Sequence, residues 1–381
     1  MSLTRRDLLR GAAASALLVP AGCFLWPSGG SGKDLMARQA EPFNGEPRLD
    51  RLVESWITPQ PYFFVRTHGR IPDIDLATWA LTVSGHVDRS VRFTLEDLEK
   101  MPRVSVTATL QCAENRRTEH ARLRSEGIPW EAGAIGTAEW RGVRVADLLG
   151  RAGVSSGARF AWFDGLDAVT LKDRQTVFGG QVPIERAMRP ETIIALEMNG
   201  RPLTYEHGYP ARAIVPGCIG ARSVKWLGRI VVAEGPSPNS FVSRGYRLLP
   251  PDADPKPGEG EPLFESPLNS AIGRPLAAQT VPAGKLIVAG YAVPPGTPGV
   301  TVASVEVSPD GGAQWIPAKL TGPEAPFAWR LWTAEVEVAS GSRTLVVRAT
   351  DSKGRRQPER PAPNLDGLMA DGWHRVPITV S

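Results

Sequence analysis

Cysteine is scarce in this chain: Cys23, Cys112 and Cys218 are the only three in 381 residues. An odd, sparse set excludes a disulfide-stapled scaffold, and at most one bridge is open to the body; we expect none. Excess charge is scarce too. The formal net charge is +4, and without residues 1–22, which carry Arg5, Arg6, Arg10 and Asp7, 41 basic side chains face 39 acidic ones. That balance argues against a nucleic-acid partner or an anionic membrane face, so any anion must be met by local arginine clusters. The apolar stretch near the amino terminus, residues 11–20, is too short to cross a bilayer. What is abundant is glycine, with 39 residues, and proline, with 35, which favour many turns and a β-rich, loop-rich architecture over a helical bundle. Hydrophobic content of 42% suits an ordinary globular protein, and the length suits two or three domains of roughly 150 residues each.

Residues 4–10 read TRRDLLR and lead into GAAASALLVP. Paired arginines before a short apolar stretch suit a signal peptide, and the pattern resembles a twin-arginine signal, a route that carries folded proteins. A chance basic terminus is the alternative. PAGC, ending at Cys23, resembles a lipoprotein cleavage site with Pro20 in place of the usual aliphatic residue, and PSGGSGK beyond it would serve as a tether in either case. The expectation is an exported, periplasmic protein that uses the twin-arginine export machinery, with a lipid anchor at Cys23 as a variant.

Residues 1–40 are read as signal peptide and linker, 41–247 as a first domain, 248–266 as a Pro-, Gly- and acid-rich linker and 267–381 as a second domain. Within the first, residues 30–60 read as a polar arm, with the body starting near Tyr62. Residues 104–110 alternate apolar and polar, which predicts a strand with one buried face, and Cys112 keeps the apolar parity at that strand's exit. Thr94 with Asp97 predicts a capping-box start to a short helix, and VRVADLLGRAG from Val143 a second that stops at glycine. Residues 191–198 read as a strand turned by Asn199-Gly200. The second domain shows strand-like segments around Leu286, Val305, Trp329 and Val346, with Asp310-Gly311-Gly312 as a hairpin and no long helical pattern. The fold class is therefore α+β, followed by an all-β sandwich of immunoglobulin type.

The chemistry centres on residues 110–117, LQCAENRR. Taken alone, one inward cysteine is more often a small core residue than a ligand. Here Asn115, Arg116 and Arg117 follow at once; adjacent cations should lower the thiol pKa and favour a thiolate, a suitable ligand for a soft metal. Arginine forks also match oxyanions. Cys218 has no such neighbours and reads as core.

TLQCAENRR resembles the cysteine motif of the sulfite oxidase family of molybdopterin oxidoreductases. PYFFVRTHGRIP (61–72), GIPWEAGAIGTAEWRG (127–142), FDGLD (163–167), EMNGRPLTYEHGYPARAIVPG (197–217), GARSVKWLGRI (220–230) and VSPDGGAQW (307–315) match in order and spacing. The resemblance covers about residues 60–380. It implies a sulfite-oxidase-like molybdopterin-binding domain, one molybdenum per chain and a dimerisation domain, hence a homodimer. It implies that Cys112 binds molybdenum, that Arg66 and Arg117 face the substrate anion with Trp130 in the pocket, and that Tyr246 lies beside the metal. His68, Asp167, His207, Arg212, Ser223 and Lys225 match positions that hold the pterin and its phosphate, and Arg222 lies in the same motif. Without the resemblance, His207 reads as a loop histidine, Arg212 and Lys225 as solvated charges, Asp167 as a turn residue, and Trp130 and Tyr246 as core aromatics.

Two departures bear on the substrate. Glu114 stands where the motif usually has glycine, and Asp366 where sulfite oxidases generally supply a third anion-binding arginine. The implied reaction is oxidation of sulfite to sulfate. With no Cys-x-x-Cys-His and no haem-ligating histidine pair in a separate domain, no haem is expected in this chain, and electrons should pass to a separate acceptor, a c-type cytochrome. The rival readings are a molybdenum enzyme acting on another sulfur compound, such as a sulfoxide reductase or sulfane dehydrogenase, and a non-enzymatic exported binding protein.

Overall fold

A computed structural model describes residues 34–120, 127–171, 174–254 and 256–381. The paired arginines, the apolar run after them and Cys23 lie outside the described residues.

The alternating segment forms the strand Arg103–Gln111, because β-branched and apolar side chains fit a half-buried pleat. It pairs antiparallel with Ile135–Arg144, from Arg103↔Val143 to Gln111↔Ile135. Ile193–Met198 extends this sheet and also pairs with Arg201–Pro202 and Arg212–Ile214. Asn199 and Gly200 turn the hairpin at φ 53° and 72°, the left-handed pair that a two-residue turn of this kind requires. A second sheet runs Gly179–Pro183, Phe160–Gly165, Leu227–Ala233, Leu81–Gly85, Val91–Phe93, and within it only Leu81–Gly85 and Leu227–Ala233 pair parallel. Leu81, Val83, Phe163 and Ile230 of this sheet pack with Leu148 and Leu149 of the helix Val145–Ala152 in one apolar core. Cys218 lies in that core, as expected.

The short helices follow their end signals. Leu95–Lys100 begins at a complete capping box: Asp97 N–H donates to Thr94 Oγ1 at 3.2 Å, and Thr94 N–H donates to the Asp97 carboxylate at 2.9 Å. The helix expected from Val143 begins at Val145, because Val143 and Arg144 still complete a strand, and it stops at Gly153 with φ 73°.

The polar arm is a correction. Met36–Gln39 pairs with Asn44–Glu46, and Leu52 is buried, so the body begins near Leu35 rather than Tyr62. A buried carboxylate ties this segment down: Glu46 accepts from the backbone N–H of Glu131 and of Gly133, both at 2.8 Å, and from Arg38 Nε at 2.6 Å. The stretch 248–265 is likewise packed, not bare linker: Arg247–Leu248 pairs with Glu261–Pro262, and Leu249 and Leu263 are buried.

Residues 269–381 form two sheets face to face. One runs Asn269–Arg274, Gly284–Val293, Arg330–Val338, Lys319–Thr321; the other runs Thr280–Val281, His374–Val380, Gly341–Asp351, Val302–Ser308, Ile316–Pro317. Their inner faces meet through residues such as Val288, Trp332, Val305, Val347 and Ile378. Strands dominate throughout and the helices are short. The sandwich is tied to the first domain around Tyr291 and Trp329, which stack on each other and pack with Leu52, Ala132 and Ile135.

Candidate active site

The strand Arg103–Gln111 delivers Cys112 to a partly open cavity. Nine of the residues singled out from the sequence line it: Cys112, Arg66, His68, Asp167, His207, Arg212, Ser223, Lys225 and Tyr246. The remaining three stand behind its wall. Arg117 is reached through Glu114; Trp130 is fully buried in the apolar cluster that holds Cys112; Arg222 donates from Nε and Nη2 to the Leu263 carbonyl, its guanidinium 5.9 Å from the Tyr246 ring. Arg222 thus supports Tyr246 from behind, where the sequence grouped it with the cavity residues.

Cys112 is held by its backbone, its N–H donating to Ala134 O at 2.9 Å. Its thiol is not lowered by the arginines that follow it. Burial, then the nearby Glu114 carboxylate, push it up to about 12, with Arg66 pulling the other way. Arg116 gives no help because its backbone is left-handed (φ 66°) and its side chain turns away, donating to Glu119 and, at 2.7 Å, to Asn269 Oδ1 of the second domain. A thiolate in this dry position requires a metal cation to displace the proton.

The opposite wall is cationic, with Arg212 buried and Lys225 partly buried. Lys225 Nζ donates to the backbone carbonyl of Glu206 at 2.7 Å, and Arg212 donates to the carbonyls of His207 at 3.1 Å and Ser223 at 2.9 Å. Neither forms an ion pair among the described residues, and Arg212 Nε has no hydrogen-bond partner. Burial drives Arg212 down to about 9 and Lys225 well below the usual lysine range, Arg212 adding to the effect on Lys225. His207 falls to about 3 through burial and then through Lys225 and Arg212. Buried cations without counter-ions are costly, so this wall is built to receive an anion. Gly208, at φ 105°, lets the chain pass between them: a Cβ there would meet Lys225 and Arg212 at 3.0 and 3.1 Å.

At the third side, Tyr246 OH and His68 Nε2 are 3.1 Å apart, and His68 stacks on Phe178 with ring centroids 4.6 Å apart. Asp167 is buried, its carboxyl raised by burial, and it accepts from Phe178 N–H at 3.1 Å. Its free acceptor capacity faces the cavity, where it suits a ring with N–H donors. An anion-receiving wall, a buried acceptor and a thiol that needs a metal together fit a phosphate-bearing, metal-carrying cofactor.

Several lining residues escaped the sequence reading: Phe63, Phe64, Thr67, Phe178, Glu206 and Trp226. The Phe63-Phe64 pair inside the conspicuous segment 61–72 was the available signal. Phe178 had none, since it reaches the site only through the pairing of Gly179–Pro183 with Phe160–Gly165. Asp366 lies half-buried in a loop whose Met369 N–H donates to Ala113 O at 2.7 Å, so that loop sits against the cysteine turn.

Residues 68–241 match the family model described as the oxidoreductase molybdopterin binding domain, and residues 261–381 the Mo-co oxidoreductase dimerisation domain. The mitochondrial sulfite oxidase of Homo sapiens is 40% identical over 364 residues, covering 91% of this chain and 66% of its own length. The chain thus spans about two thirds of that relative. The sulfite oxidase of Arabidopsis thaliana is 35% identical over 369 residues, covering 90% of this chain and 93% of its own. Among solved structures, the sulfane dehydrogenase SoxCD from Paracoccus pantotrophus superposes with a TM-score of 0.76 at 28% identity, covering 87% of this chain and 83% of that one.

Proposed function

The chain belongs to the sulfite oxidase family of molybdopterin oxidoreductases, and on that premise we propose that it oxidises sulfite to sulfate and passes the electrons to a separate acceptor such as a c-type cytochrome. One observation carries the reading: a buried cysteine that needs a metal shares one cavity with Arg212 and Lys225, which form no ion pair among the described residues.

When bound, the molybdenum cofactor supplies the two-electron redox chemistry. Cys112 is its protein ligand. Lys225, Arg212 and Ser223 hold its anionic end, and Asp167 and His207 orient the ring system. Arg66 and Arg117 orient the sulfite oxygens by charge-assisted hydrogen bonds. Tyr246, locked at φ 51° and hydrogen-bonded to His68, keeps a phenol proton at the reacting side, since burial raises its pKa far above the usual range. Trp130 closes the floor behind Cys112 and excludes water. The carboxy-terminal sandwich is of immunoglobulin type and pairs the chain as a homodimer, and the leader TRRDLLRGAAASALLVP (4–20) directs twin-arginine export to the periplasm.

A second reading keeps the cofactor and changes the substrate to another sulfur compound. It is favoured by Glu114, which already ion-pairs with both Arg66 and Arg117, and by the likeness to a sulfane dehydrogenase. The test is metal analysis with a sulfite-dependent ferricytochrome c assay, on wild type and Cys112→Ser. One molybdenum per wild-type chain, sulfite-driven reduction, and loss of both activity and the thiolate-to-metal absorption in the variant are expected. A metal-free natively matured chain sinks the cofactor assignment, and a loaded chain inert to sulfite transfers the case to the second reading.

A further inference from the structure

Glu114 is buried, 7% exposed, in the turn that follows Cys112. Its two carboxylate oxygens take one arginine each. Oε1 accepts from Arg117 Nη1 at 2.9 Å, and Oε2 accepts from Arg66 Nε at 3.1 Å. Oε2 also lies 3.9 Å from Cys112 Sγ. Two oxygens on one centre, each meeting a separate guanidinium beside the metal-binding sulfur, is the arrangement that a bound oxyanion would adopt. The protein's own carboxylate therefore stands where the substrate's oxygens would stand.

We propose that Glu114 is an internal counter-ion: it holds Arg66 and Arg117 in the absence of substrate, must be displaced for an oxyanion to bind, and returns to help expel the product. This rests on the reading of the cavity as an oxyanion-oxidising site. The surrounding bonds make the displacement a side-chain movement. The backbone is pinned on both sides of Glu114, with Asn115 N–H on Cys112 O at 3.0 Å, Arg117 N–H on Glu114 O at 3.0 Å and Met369 N–H on Ala113 O at 2.7 Å. Arg66 stays in place when the carboxylate leaves, because Nη1 also donates to Thr67 O at 2.6 Å. Arg117 lies against Gly127, where a Cβ would fall 1.4 Å from Nη1, so the chain leaves room for that guanidinium and for little else.

The consequence is a specificity device. The Glu114 carboxylate offsets part of the positive charge that the two guanidiniums present to a sulfur oxyanion, and a divalent anion must also break two charge-assisted bonds on entry. Such a site releases sulfate readily and discriminates less strongly against uncharged sulfur substrates than one with glycine at this position.

The test uses the molybdenum-loaded enzyme with Glu114→Gln and Glu114→Gly. Sulfate affinity is measured by titration calorimetry and as product inhibition, beside KM and kcat for sulfite. Sulfate should bind about ten- to a hundredfold more tightly in both variants, and the KM for sulfite should fall with it while kcat does not rise. Unchanged or weaker sulfate binding overturns the proposal, because a carboxylate that merely shapes the turn would not oppose the anion. If either variant loads poorly, Glu114→Asp decides: its shorter arm reaches one arginine, so sulfate binding tighter than wild type supports the proposal and wild-type or weaker binding refutes it. Sulfate calorimetry needs no turnover, so an enzyme inert to sulfite still tests Glu114. Conversely, active enzyme whose sulfate affinity ignores Glu114 removes this inference alone.

Discussion

His207 shows how far a single environment can move a side chain. It reads from sequence as a loop histidine, yet it is 1% exposed, its Nε2 lies 3.4 Å from Gln60 O, and burial with Lys225 and Arg212 lowers it to about 3. In the unfolded chain it titrates near 6.5. Between these values the unfolded state binds more protons, so stability rises with pH across the window and is lost as pH falls below about 6.5. The cofactor-free protein should therefore lose about 2 kcal/mol more than its His207→Gln variant when urea unfolding is compared at pH 7 and pH 5. Equal losses would mean that the ring is not held neutral. Cys112, Arg66, Lys225 and Asp167 were legible because they stand in motifs whose order and spacing are specific. Glu46 and Phe178 were not, since each acts through a contact made by chain segments far apart in sequence.

Short local signals translate into elements most faithfully. Asn199-Gly200 and the Thr94–Asp97 box depend on atoms within a few residues of one another, so sequence alone suffices to find them. Because the box lies on an exposed six-residue helix whose Leu98 packs in the core, Thr94→Ala should cost about 1 kcal/mol in chemical denaturation and leave sulfite kinetics unchanged. A loss below a few tenths would show that packing of Leu98 alone fixes this helix. The arm at 30–60 failed as an element for the opposite reason. Its strands are short and polar, and what fixes them is one buried carboxylate joined to Arg38 and to two backbone N–H groups about 85 residues away, which no period in the sequence encodes. The boundary at Val143 slipped because apolar residues at a strand's end and a helix's start share one unbroken run.

At the scale of the whole molecule, the strand and turn that carry the cysteine are bonded to the second domain at several points. Trp329 N–H donates to Thr109 Oγ1 at 2.8 Å, and Thr109 N–H donates to Phe327 O at 2.9 Å. Asn115 Nδ2 donates to Tyr291 OH at 3.3 Å, that hydroxyl donates to Ala132 O at 2.8 Å, and the buried Arg116 donates to Asn269 and Ser270. Trp56 and Trp329 exchange indole-to-carbonyl bonds at 3.0 and 2.9 Å. Sequence periodicity separates these domains at a linker; the side chains join them beneath the site. Two domains joined through an apolar, hydrogen-bonded seam should unfold as one unit, because unfolding either strips the apolar face and the hydrogen-bond partners from the other. Trp329→Ala removes a fully buried ring from the centre of that seam, at a cost of about 3–5 kcal/mol. Scanning calorimetry should show a single transition in the wild type and a single transition, shifted down as a whole, in the variant. If the variant instead splits, with the cysteine domain melting at the wild-type temperature, the seam is a contact between independent domains and the geometry around Cys112 owes nothing to the sandwich.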